Sequence, residues 1–187
     1  MAKVAISSEF LEAFSRIPKS KQKKVREFIN RFQNNPSSNS INYEKIHDVL
    51  DQRVRTARID LAYRAVFIHP HKGDVFILVW VDHHDEVMDW AKRKTFDINP
   101  KTGALQVFEL EEIEKVNQEF KKNEEKEVVK YTLFDTFPDQ ELLKTGLPKI
   151  LLPAIKAIKK AEQLDDLHSY LPEEAYEALY WIANLGY

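Results

Sequence analysis

The chain opens with two stretches in which apolar residues recur at helical spacing. Between Ser8 and Ile17, the residues Phe10, Phe14 and Ile17 share one face. Ser8 is expected to cap this helix, with Glu9 and Glu12 in the first turn, where the helix dipole favours anions. Pro18 ends the run. From Lys19 to Asn34, Val25, Phe28, Ile29 and Phe32 follow the i, i+3, i+4, i+7 rule, and the other face carries Lys19, Lys21, Lys23, Lys24, Arg26 and Arg31. Asn34, Asn35 and Pro36 stop the second helix, and Ser37 to Ser40 reads as loop. The period then shifts from 3.6 to 2. Strands are predicted at Arg53–Ile59, Ala62–His69 and Val75–Asp82, after a short one at Val4–Ile6. The connections are a tight turn at Asp60-Leu61 and a longer one through His71, Lys72, Gly73 and Asp74. Valine, isoleucine and aromatic residues crowd the last two runs and make them the central strands. A short helix over Glu86–Lys94 follows. Two helices and then an antiparallel meander define an α+β fold, a helical hairpin packed on the sheet.

Beyond that point the pattern changes. Asn99 to Gly103 reads as a turn and a domain edge. Glu109–Lys130 is charge-dense, with Glu and Lys often three or four apart, and is expected to be an exposed helix or helical linker. From Thr132 onward the pattern predicts short helices, with Pro148, Pro153 and Pro172 in first turns and an apolar face drawn from Leu142, Leu143, Leu147, Ile150, Leu151, Ile155 and Ile158. The last helix starts at Glu173 and Glu174 and turns Ala175, Leu179, Ile182 and Ala183 inward. The expected organisation is therefore an α+β domain over 1–98, a turn and charged helical linker over 99–131, and a small all-α region over 132–187. Gly186 suits a helix C-cap, yet the chain stops one residue later. So abrupt an end is expected of a piece of a longer protein.

Composition narrows the chemistry. The four glycines, Gly73, Gly103, Gly146 and Gly186, are scattered. Phosphate-cradling loops need them clustered, so a nucleotide-driven motor built on such a loop is excluded within these residues. With no cysteine there is no disulfide, no thiol catalysis and no Cys-type zinc site. The N-terminus carries no signal-peptide core and no apolar run approaches a membrane span, which points to a cytoplasmic protein without membrane partners. The net charge of −2 conceals an asymmetry. Residues 1–103 hold 18 Lys and Arg against 13 Asp and Glu, whereas 104–187 hold 10 against 17. The basic part is the one suited to nucleic acid or an acidic partner.

The densest polar cluster falls on the meander and its exit: Lys45, Arg53, Arg55, Arg58, Arg64, His83, His84, Asp85 and Glu86. Alternation puts Arg53 and Arg55 on one face of their strand and Arg58 on the other, while Arg64 shares a face with Ala62, Val66 and Ile68. Arginines beside histidines can bind phosphodiester oxygens, and a histidine or carboxylate can take the proton of a ribose 2′-hydroxyl, which together make metal-independent RNA cleavage. The plainer account pairs the arginines with Glu44, Asp48, Asp51 and Asp60. His69, His71 and the run His83-His84-Asp85-Glu86 offer metal-ligand chemistry, but adjacent histidines on a strand point apart, and no metal site is expected. Trp80 alternates with Phe76 and Leu78 as a core residue would. Trp90, on the exit helix, is placed to bridge the two regions.

In sequence order, "RIPKSKQKKVREFINRFQNNP", "RVRTARIDLAYRAVF" and "VFILVWVDHHDEVMDW" resemble the RelE/ParE toxin superfamily over Arg16–Lys94, somewhat under half of the chain. The resemblance implies a helical hairpin on an antiparallel sheet. It puts Arg64, in "AYRAVF", at the recurrent sheet arginine that contacts RNA in ribosome-dependent members, and Arg58 near a second basic position. His83 falls at the family histidine, and Glu86-Val87 at the acidic-Val pair that follows. Two positions depart from the pattern: His84 stands where arginine is usual and Met88 where many members have tyrosine. That loss implies a degenerate nuclease. The tail, "LLKTGLPKILLPAIKAIKKAEQLDDLHSYLPEEAYEALYWIANLGY", is similar to the segment joining a RelE-like domain to the motor of some bacterial UvrD/Rep-type DNA helicases. Together the two resemblances imply a non-motor accessory region. Its nucleic-acid-binding residues would be Lys23, Lys24, Lys45, Arg53, Arg55, Arg58 and Arg64, and its partners DNA or RNA, RNA polymerase or the ribosome. It would hold no cofactor itself, ATP and Mg being needed only by a downstream motor. Two alternatives stand beside it. One is an active ribonuclease using Arg58, Arg64, His83, His84 and Glu86. The other is a protein-interaction module docking through the acidic tail.

Overall fold

The computed structural model describes residues 3–47, 49–69, 75–126 and 131–184, with the side chains of 123–126 left out. The expected turn at Gly73 with His71, the ion-pair partner Asp48 and the Gly186 cap lie outside the described residues. The chain divides into two compact units, Met1–Lys94 and Thr95–Tyr187.

The first unit contains β1 (Lys3–Ile6), α1 (Ser8–Arg16), α2 (Lys19–Asn34), β2 (Tyr43–Lys45), β3 (Val54–Arg58), β4 (Tyr63–Ile68), β5 (Val75–His83) and α3 (His84–Arg93). The five strands form one sheet in the order β1-β5-β4-β3-β2. β2 to β5 pair antiparallel, and β1 joins the far side of β5 in parallel. The period-2 runs thus become the three longest antiparallel strands, and β4, buried at every position, is central. The cap of α1 differs from expectation. Ser7, one residue earlier, accepts the N–H of Phe10 at 3.2 Å, which places its oxygen over the open end of the helix.

The helical hairpin covers one face of this sheet. Phe10, Ala13 and Ile17 of α1 and Val25, Phe28 and Phe32 of α2 pack with Ala57, Tyr63, Ala65, Phe67, Phe76, Leu78 and Val81. Phe32 is central, its ring 5.1 Å from that of Phe67 and 5.8 Å from that of Phe76. Burying such a side chain contributes about 1.5–3 kcal/mol. A β-bulge fixes what the other face carries. Val66 pairs with Trp80 and Phe67 with Leu78, so Val79 is an extra residue on β5. The bulge shifts the alternation by one. Trp80 therefore leaves the side of Phe76 and Leu78, contrary to the simple period, and stacks on Trp90 of α3 with ring centroids 4.7 Å apart. Asp82 moves with it, while Val81 and His83 turn to the helical side.

The second unit begins with a two-stranded sheet of β6 (Lys94–Ile98) and β7 (Leu105–Glu109). The sequence pattern gave only its turn, where Asn99 Oδ1 accepts the N–H of Lys101 at 2.9 Å and Gly103 adopts a φ of +73°. Helix α4 (Leu110–Lys126) follows, then α5 (Asp139–Lys144), a 3₁₀ turn, α6 (Leu152–Lys156), a longer 3₁₀ segment over Ala161–Tyr170, and α7 (Glu173–Asn184). Helix α4 is more than a solvated linker: Ile113 and Phe120 are buried in a core shared with Phe134, Leu142, Leu151, Ile155, Leu164 and Leu179. Gly146, at φ +100°, lies so close to Asn99 that a Cβ would stand 3.1 Å from its Nδ2.

Candidate nucleic-acid interface

Strand register decides which of the candidate residues meet. Across β3 and β4, Arg58 stands opposite Arg64, and across β4 and β5, Arg64 stands opposite Asp82. On the short edge strand β2, Glu44 stands opposite Thr56. Since Ala57, Ala65 and Val81 face the helical hairpin, Glu44, Thr56, Arg58, Arg64 and Asp82 belong to the other face of the sheet.

Arg64 is the most constrained of them, at 4% exposure. One Nη donates to the carbonyl oxygens of Asp60 at 2.8 Å and of Tyr63 at 3.0 Å. Its buried Nε has no hydrogen-bond partner. The nearest anion is Glu44, whose Oε2 lies 4.0 Å from that Nε and whose Oε1 lies 3.6 Å from an Nη of the exposed Arg58. One carboxylate thus stands between two guanidinium groups, beyond hydrogen-bond distance of both. From its sequence neighbourhood Glu44 is expected only as an ion-pair partner, since three residues of strand give no usable period.

The other basic residues are placed differently. Arg53 precedes β3 and clamps Asp51 through two nitrogens, the shorter contact at 2.7 Å. Arg55 donates to the carbonyls of Gln52 and Val54. It stands opposite Lys45, and alternation puts both on the side of Tyr43 and Ala57. Lys23 and Lys24 project from α2, on the hairpin side. Lys23 is 4.0 Å from Glu27, and Lys24 is 3.4 Å from Asp60. Next to them lies an open cleft of about 530 Å³ lined by Lys24, Glu27, Asn30, Arg31, Ile59 and Asp60.

Asp60 is held tightly. It accepts the N–H of Ala62 at 2.8 Å and of Tyr63 at 2.9 Å, and Lys21 Nζ lies 3.0 Å away. Burial works to raise its pKa, but those two N–H donors and Lys21 outweigh it and hold the carboxyl well below the usual carboxylate range. Asp60 fixes the β3–β4 turn, and its backbone carbonyl fixes Arg64.

The acid–base candidates do not converge with the arginines in the same way. His83 stands opposite Tyr63, its ring 4.2 Å from that of Tyr63, which belongs to the core beneath the hairpin. It is therefore on the opposite face from Arg64. His84, the first residue of α3, has Nδ1 3.0 Å from Asp85, and Glu86 is exposed in the same turn. His69 packs edge-on against Phe76 at 4.9 Å. No group of three or more His, Asp or Glu among the described residues is arranged to hold a metal ion. No described helix is long and apolar enough to cross a membrane.

No protein-family model matches the chain, and no curated protein does. Similar solved structures include RelE–RelB toxin–antitoxin complexes. The archaeal RelE–RelB complex from Pyrococcus horikoshii is 19% identical over 44% of this chain and 93% of its own, with a TM-score of 0.36. The RelB–RelE complex from Methanococcus jannaschii is 21% identical over 46% of this chain and 96% of its own, with a TM-score of 0.38. YafQ from E. coli is 11% identical over 46% of this chain and 98% of its own, with a TM-score of 0.38.

Proposed function

We propose that Met1–Lys94 is a RelE-like module that binds the phosphate backbone of single-stranded RNA beside the exposed Arg58, at the edge of the sheet, and that it does not cut the RNA by itself. One observation carries this reading. Arg58 and Arg64 are direct cross-strand neighbours, and the buried Arg64 keeps a guanidinium N–H without a hydrogen-bond partner. A buried donor left unmade is costly, and a phosphodiester oxygen is the acceptor that an arginine fork suits best. The family resemblance of "AYRAVF" supports RNA as the ligand. Binding without cutting is supported by the scatter of the acid–base groups: His83 faces the hairpin, His84 is engaged with Asp85, and Met88 replaces the family tyrosine. Placement of this module ahead of a helicase motor, which it would bring to RNA polymerase or the ribosome, belongs to the same proposal. A Walker-type phosphate loop encoded downstream of Tyr187 would support that part, and its absence would remove it.

The test is equilibrium binding of the full chain to labelled single-stranded RNA, single-stranded DNA and duplex DNA across a salt series. RNA should bind tightest and weaken steeply with salt. Arg64→Lys keeps the charge and loses the fork, and should weaken RNA binding about tenfold. Equal affinity of Arg64→Lys and wild type for RNA would refute the reading. Cutting of transcripts on expression, lost in Arg64→Lys, would restore the ribonuclease alternative.

A further inference from the structure

We propose that the outward face of α7, in the second unit, is a docking surface for an arginine-rich peptide segment, seated on Glu177, Tyr180 and Trp181. The RNA reading concerns the first unit and does not enter.

Helix α7 is anchored on one side only. Ala175 and Leu179 are buried, and Leu179, Ile182 and Ala183 pack in the second core. The opposite face carries Glu173, Glu177, Tyr180, Trp181 and Asn184, all exposed. Trp181 is 66% exposed and Tyr180 45%. Two large rings exposed side by side mark a contact surface, which a single scattered apolar residue does not. They also continue an aromatic row. The His168 ring lies 4.1 Å from that of Tyr176, and the Tyr176 ring 6.0 Å from that of Tyr180.

Charge selects the occupant. Helix α7 carries Glu173, Glu174 and Glu177 and no Lys or Arg, and the 3₁₀ segment before it carries acidic residues and no Lys or Arg either. Two of these carboxylates are engaged: Glu173 lies 3.1 Å from Nε2 of His168, and Asp165 accepts the hydroxyl of Tyr176 at 2.5 Å. Glu177 makes no hydrogen bond or ion pair among the described residues. Helical spacing sets it three and four residues before Tyr180 and Trp181, on the same face. A carboxylate beside aromatic rings suits a guanidinium, whose flat side lies on a ring while its N–H edge meets the carboxylate. Phosphate would be repelled here, and a wholly apolar segment would cover Glu177 without a counter-charge. An ammonium pairs with the carboxylate but does not stack. The face is about 18 Å long, the span of about five residues of extended peptide.

The experiment is fluorescence anisotropy of the full chain with a labelled peptide of alternating glycine and arginine at low salt, beside glycine-lysine and glycine-serine peptides of the same length. The arginine peptide should bind tightest, the lysine peptide about threefold more weakly, and the serine peptide not at all. Trp181→Ala should weaken binding of the arginine peptide about 3- to 10-fold and Trp181→Phe by less. Glu177→Gln should weaken it about 2- to 5-fold, whereas Glu111→Gln, exposed on α4, should stay within about 1.5-fold of wild type. Matching thermal midpoints establish that each variant folds. Equal affinity of Trp181→Ala and wild type overturns the proposal, as does equal affinity for the lysine and arginine peptides. A loss in Glu111→Gln equal to that in Glu177→Gln also overturns it, because the attraction is then net charge alone. A wild-type dimer in sedimentation that Trp181→Ala dissolves overturns it and makes the face a contact between two copies. Loss of RNA binding in Trp181→Ala overturns it too, and makes the rings base-stacking groups.

Discussion

The sheet of the first unit carries two carboxylates, each between two cations, and they are built in opposite ways. Asp60 lies between Lys21 and Lys24 on the hairpin side, and Glu44 between Arg58 and Arg64 on the opposite side. Asp60 takes two backbone N–H bonds below 3 Å and a lysine at 3.0 Å. The Glu44 carboxylate takes no hydrogen bond among the described residues, and its cations stand off. The number of charges is the same, so charge does not separate them. What separates them is whether the backbone supplies donors. Where it does, the carboxylate is a structural part of a turn. Where it does not, the carboxylate is held only by two guanidinium groups that stand off at 3.6 and 4.0 Å. Arg64 links the two, since its guanidinium is oriented by the Asp60 carbonyl and its Nε faces Glu44.

The largest effect expected from this contrast is on stability. Asp60→Ala removes the acceptor of two turn N–H groups and leaves Lys21 unpaired, and should lower stability by about 2–3 kcal/mol in urea unfolding. Glu44→Ala should change it by no more than about 0.5 kcal/mol. Equal losses at the two positions would erase the distinction. The pH dependence should separate them as well. The folded-state pKa of Asp60 is depressed, so its contribution is complete above its unfolded pKa of about 3.9 and is lost as pH falls through the lower folded value. The stability difference between wild type and Asp60→Asn should therefore be constant above about pH 5 and shrink steadily below about pH 4. A difference that stays constant to pH 2 would break the assignment.

Much of this unit was legible in the sequence, and the reasons are physical. Helices α1 and α2 and strands β3 to β5 are long enough for their periods to show, and each has one face that must be buried. Two features were not legible. Strand β2 reads Tyr-Glu-Lys, too short and too polar for a period, and with it went the placement of Glu44 beside two arginines. The bulge at Val79 is invisible in a run of apolar residues, yet it decides that Asp82 joins Arg64 while His83 joins Tyr63. The linear order His83-His84-Asp85-Glu86 suggested one constellation beside the arginines; one extra residue in β5 puts His83 on the side of Tyr63, away from Arg64. In the second unit, β6 and β7 alternate weakly and only their turn stood out. Helix α4 hid two buried residues, Ile113 and Phe120, within a charge-dense stretch.

The smallest effect belongs to the lysines of α2, and it sharpens the comparison from its other side. Lys23 and Lys24 match the residue types expected to bind nucleic acid, but they project from the hairpin and each already lies near a carboxylate, Glu27 or Asp60. At 55% exposure, Lys24 adds to an Asp60 that Ala62, Tyr63 and Lys21 already satisfy, so Lys24→Ala should shift stability by less than about 0.5 kcal/mol. Its charge is offset by a carboxylate that stays ionised at neutral pH, so the side of the sheet that carries Arg58 senses little of its loss. Lys23→Ala and Lys24→Ala should each weaken RNA binding by no more than about twofold, with nearly unchanged dependence on salt. A loss as large as that of Arg64→Lys would move the RNA path from the side of Arg58 to the helical hairpin, and would make the cleft beside Asp60 the place where phosphate is bound.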